Sequence, residues 1–126
     1  MARHEHIEIQ HSSYQQFADR HRDILLRMHS LNRDQICEGT LAIFERELKQ
    51  NLEQYRKRIV REAQDAQVRT EAEHVQRGMG NSTIVVQAKR AVERDAFDRL
   101  AEAEREVVHA TEHLGQLKSR LDPARA

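Results

Sequence analysis

Apolar residues recur along most of the chain at steps of three and four, the spacing that lines one face of an α-helix. One line reads Cys37, Leu41, Phe44, Leu48, Leu52, Tyr55, Ile59, Ala63, Ala66, Thr70, His74. A second reads Val85, Ala88, Val92, Ala96, Leu100, Ala103, Val107, Thr111, Leu114, Leu117, Leu121. Steps of 4, 4 and 3 dominate both, closer to an eleven-residue repeat than to a heptad. A shorter stripe precedes them: Tyr14, Phe17, Ile24, Leu25, Met28 and Leu31, with His21 inside it. Three amphipathic helices are predicted.

Punctuation sets their limits. Ser12 and Ser13 each have a glutamine three positions later, as a capping box would, so the first helix is placed at 12–31. Residues 1–11, with His4 and His6 among them, are read as a flexible arm. Asn32 with Gln35, and Leu31 with Ile36, supply a cap and a hydrophobic staple for a helix over 33–77. Gly78 and Gly80 make a turn at 78–81, and Ser82 or Thr83 can cap a helix over 82–121. Asp122-Pro123 closes it, leaving a tail at 122–126.

Two long helices of matching period joined by a four-residue turn form an antiparallel hairpin. If the turn centres near Gly80, residues whose numbers sum to about 161 lie side by side. Arg58 then faces Glu102, and Glu71 lies beside Lys89. Other registers set like charges against each other, which disfavours them. The predicted fold is all-α and coiled-coil-like: one domain of three helices, the first packed on the open end of a long hairpin. Toward the turn the seam thins to Ala63, Ala66, Ala88 and Ala96, which bury little area. That segment is expected to need a protein partner or another copy of the chain.

Composition narrows the class. With 21 basic and 21 acidic residues there is no global pull toward nucleic acid or an anionic membrane. No apolar run approaches a spanning helix or a signal segment, so the expected compartment is the cytoplasm, without membrane association. The single Cys37 excludes an internal disulfide, and its apolar setting predicts a buried thiol.

Candidate chemistry is sparse. Glu71 with His74, and Glu106 with His109, repeat a Glu-x-x-His spacing used in di-metal bundles. In the hairpin the two units fall roughly 25 to 30 Å apart at about 1.5 Å per residue, so one chain cannot share a metal between them. His109 and His113 remain a pair one turn apart that points away from the seam. No cofactor, no metal centre and no catalytic residue is expected, and the chain is read as a non-enzyme. The turn stands out instead. Met79, Ile84 and Val86 cannot all face a seam defined by Val85 and Ala88, since successive helical residues lie about 100° apart.

The reading is a helical interaction module, an adaptor or assembly subunit presenting the tip Met79, Ile84 and Val86 to a protein partner. Two alternatives belong to other classes. One is nucleic-acid binding through the basic cluster Arg56, Lys57, Arg58 and Arg61. The other is a metal-binding bundle assembled by oligomerisation.

Overall fold

The computed structural model describes residues 2–78 and 83–121, with side chains from residue 13 onward. Its elements are α1 (Ala2–His29), a 3-10 turn (Arg33–Gln35), α2 (Glu38–Gln76) and α3 (Thr83–Leu121). Helix α2 and helix α3 pack against each other as a hairpin, with α1 as the added N-terminal helix. The all-α prediction holds.

Two helix starts differ from those predicted. Helical backbone begins at Ala2, so Ser12 and Ser13 lie inside α1 rather than capping it. Residues 2–12 contain neither proline nor glycine, and extending a helix adds one hydrogen bond per residue fixed without a new nucleus. Asn32 opens only the short 3-10 turn, where its N–H donates to Gln35 Oε1 at 2.8 Å. The backbone is then extended at Ile36, and α2 starts anew at Glu38. The predicted box exists, one turn ahead of the helix it was assigned to.

Cys37 is exposed, not buried. Its carbonyl accepts the first α2 amide bond, from Leu41 at 3.0 Å, and Leu41 is the first core residue of that helix. The thiol lies ahead of the core, beside the Thr40 hydroxyl at 3.1 Å. At the far end of α2, Gly78 takes φ of +77°, the left-handed conformation that a residue without Cβ adopts freely after a helix.

The chain packs as two compact units, one up to Tyr55 and from Ala103 onward, the other from Arg56 to Glu102. The first is a three-helix bundle. Helix α1 buries Phe17, Ile24 and Met28; α2 buries Leu41, Phe44, Leu48, Asn51 and Tyr55. Helix α3 buries Ala103, Val107, Ala110, Leu114 and Leu117. Steps along α2 and α3 are here 3 and 4 in strict alternation, a heptad. The predicted lines used Leu52 and Thr111, which are only half-buried, where Asn51 and Ala110 are central. The reason is α1. A third helix turns the inward face toward itself, and Asn51 answers it with a hydrogen bond from Nδ2 to the Phe17 carbonyl at 3.1 Å.

Aromatic stacking completes this core. Phe17 lies against Tyr55 at 5.2 Å and against His21 at 5.4 Å, both nearly parallel. At the rim Arg27 of α1 pairs with Glu47 of α2 at 2.9 Å and lies over the Phe44 ring at 5.6 Å.

The second unit is a two-helix arm with a thinner interior. Among its described residues only Ile59 and Val85 are buried apolar ones; Ala63, Ala66, Thr70, His74, Ala88, Val92 and Ala96 are half-buried. Their spacing keeps the predicted 4, 4, 3 steps. Across the seam Lys89 pairs with Glu71 at 2.8 Å, and Gln67 reaches the Lys89 carbonyl at 3.1 Å and Glu93 at 3.0 Å. Those numbers sum to 156 to 160, close to the predicted 161. The Arg58–Glu102 pair does not form: Arg58 Nε is buried without a hydrogen-bond partner, and Glu102 is exposed.

Candidate functional site

Successive residues at the start of α3 point in different directions, and one seam can take only one of them. Val85 is buried, while Ile84 is 53% exposed and Val86 48% exposed. Met79, the third predicted tip residue, lies outside the described residues. Ile84 and Val86 belong to a larger set. Of the ten exposed large hydrophobic residues described, six fall in the arm: Val60, Val68, Val75, Ile84, Val86 and Phe97. The unit with the thinner interior carries the more apolar exterior.

Phe97 is the most exposed of them, at 72%. It stands at the rim of a groove of about 360 Å³ between α2 and α3, lined also by Ile59, Val60, Ala63, Ala96 and Leu100. Alanine at 63 and 96 creates the groove, because a methyl group leaves the space a longer side chain would fill. Val86 is eleven residues before Phe97, about three helical turns, so the two share a face of α3. Arg90 and Glu93 lie between them on that face, and Ile84, about 200° from Val86, is on the other side of the helix. Gln64, Gln67 and Glu93 also line the groove, so an apolar side chain received there has polar groups beside it.

The basic cluster does not form a single face. Lys57 and Arg61 are exposed one turn apart, whereas Arg58 is turned partly inward.

The Glu-x-x-His units are each engaged locally. Glu71 holds Lys89, and His74 Nδ1 lies 2.6 Å from the Thr70 carbonyl. Glu106 accepts from the Tyr14 hydroxyl at 3.5 Å. His109 is exposed, with Nδ1 3.9 Å from Glu112. Among the described residues no group of three or more His, Cys, Asp or Glu side chains is placed to hold a metal ion.

A second groove, in the bundle, collects other histidines. About 420 Å³ in volume, it is lined by His21 and His29 of α1 and by Glu106, His109 and His113 of α3, among others. His21 is 7% exposed, and its Nδ1 is buried without a hydrogen-bond partner. Burial holds the imidazole below its ordinary pKa of 6.5, against a smaller upward pull from Glu106.

Sequence reasoning singled out His109 and His113 but missed Phe97 and His29. Phe97 follows the seam residue Ala96 and so lay off every apolar line; an aromatic just outside a seam was the available signal. His29 gains meaning only from the pairing of α1 with α3, which no periodicity in a single helix encodes.

The chain matches no family model, no curated protein and no solved structure. No described helix is long and apolar enough to cross a membrane.

Proposed function

We propose that this chain is a non-enzymatic helical interaction module, an adaptor or assembly subunit whose two-helix arm is presented to a protein partner. The observation that carries the reading is Phe97, 72% exposed at the rim of an apolar groove. Leaving an aromatic ring in water forgoes roughly 1.5 to 3 kcal/mol of burial. A partner side chain laid in the groove against Phe97 recovers it. Val86 adds an exposed apolar side chain on the Phe97 face nearer the turn, and Ile84 one on the opposite side of α3, so the contact proposed for the tip is a second point of attachment on the same arm.

A second copy of the chain is the alternative partner. The patch holds both a projecting ring and a floor of small residues, so two copies related by a twofold axis can each fill the other's groove.

Both forms are tested by sedimentation of the purified chain at micromolar concentration, followed by pull-down from the native cell. Wild type is compared with Phe97→Ser and with the double variant Ile84→Ser, Val86→Ser. Loss of a dimer, or of a specific captured protein, in variants that still melt as wild type supports the proposal. Wild-type behaviour in both assays for all variants overturns it.

A further inference from the structure

Within the bundle groove, one pair of side chains has a geometry that the helix spacing alone does not supply. The rings of His29 and His113 lie with centroids 4.7 Å apart and planes inclined by 45°. They come from different helices, α1 and α3. We propose that His29 and His113 together bind a divalent transition-metal ion, Cu²⁺, Ni²⁺ or Zn²⁺, that clamps α1 to α3.

The distances suit a shared ion. Zinc binds imidazole nitrogen at about 2.0 to 2.1 Å, so two tetrahedral nitrogen ligands are about 3.3 Å apart. Rings already in contact reach that separation by side-chain rotation, with the helices staying in place. His29 is exposed and His113 half-buried, which leaves the pair open to solvent along the groove. Because no third ligand converges among the described residues, water completes the coordination. The site is therefore open and exchangeable, unlike a closed structural zinc site.

Ligand type selects the metal. Imidazole favours copper, nickel and zinc, whereas magnesium and calcium require oxygen ligands. Within the favoured set the ordinary order of affinity places Cu²⁺ first. His113 also has His109 one turn before it, an alternative pair on a single helix. The two readings differ in consequence. An ion on His109 and His113 touches α3 alone, while an ion on His29 and His113 joins two helices and stabilises their packing.

The test is the thermal melt of the untagged full chain with NiCl2, ZnCl2, CuCl2 or MgCl2, for wild type and the variants His29→Ala, His113→Gln and His109→Ala. Saturating transition metal should raise the wild-type midpoint by about 5 °C or more, and magnesium should not. The rise should vanish in His29→Ala and His113→Gln and persist in His109→Ala. His29 is outside the core, so its variant should keep the metal-free midpoint. No rise in wild type overturns the proposal. A rise that survives His29→Ala overturns it too, assigning the ion to His109 and His113 or to another histidine.

Discussion

The Nδ2 amide of Asn51 donates to the Phe17 main-chain carbonyl across the α1–α2 contact, at 3.1 Å and with the asparagine 1% exposed. The Phe17 carbonyl sits within a continuous helix, so the asparagine bond is additional to the helical one. The amide oxygen of Asn51 has no hydrogen-bond partner. Half of this buried group is satisfied and half is not.

That asymmetry separates two substitutions. Asn51→Ala removes the bond and opens a cavity, and should cost about 1 to 3 kcal/mol. Asn51→Leu replaces a half-satisfied amide with an apolar side chain of similar size and should be neutral or stabilising. Chemical denaturation of the two variants checks the order. A leucine variant as unstable as the alanine one would mean that the Phe17 bond outweighs the orphaned oxygen.

His21 makes the bundle sensitive to acid. Its pKa is depressed in the folded chain, so near and below its ordinary value of 6.5 the unfolded chain binds more protons. Stability is full above that value and falls as pH drops through it toward the folded-state pKa. His21→Leu should flatten this part of the profile, leaving the carboxylate titrations at lower pH. Melting midpoints at pH 8, 6.5 and 5.5 for both chains provide the measurement; parallel profiles would exclude His21 as the cause.

The exposed thiol of Cys37 should be readily alkylated in the native state. The Thr40 hydroxyl, with main-chain groups at Thr40 and Gly39 adding to it, holds its pKa below the ordinary value. Thr40→Val should raise that pKa and slow alkylation at neutral pH a few-fold. Rates followed by mass spectrometry decide it, and an unchanged rate would leave the hydroxyl without influence on the thiolate.

Phe97→Ser should change stability by no more than about 0.5 kcal/mol, since the ring makes little internal contact. Its effect on the partner complex should be tenfold or more in affinity, from one lost buried side chain. A large drop in melting temperature would place Phe97 in the fold instead.

How much of this was legible in the sequence follows from what each signal encodes. The Glu71–Lys89 register was readable because the turn length and the charge pattern both count residues across one hairpin. Exposure of Ile84 and Val86 around a buried Val85 was readable because helical geometry alone forces it. The inward position of Asn51 was not, since apolar patterning prefers its neighbour Leu52 and cannot see the Phe17 carbonyl. Burial of Cys37 was misread because apolar neighbours in sequence become neighbours in space only once the helix has begun. His29 beside His113 required the pairing of α1 with α3, which depends on three-dimensional packing.

The spans closed by the contacts in each unit also bear on the order of folding. In the arm, Gln67 meets Lys89 and Glu93 across separations of 22 and 26 residues. In the bundle, α1 meets α2 across 20 at Arg27 and Glu47, but meets α3 across 92, at Tyr14 and Glu106. Short loops close at lower entropic cost and sooner, so the α2–α3 arm and the α1–α2 pairing should both precede the docking of α3 on α1. Substitutions at Gln67 or Glu71 should then slow folding, whereas one at Glu106 should mainly hasten unfolding. The bundle, although it holds the larger core, would be the unit completed last.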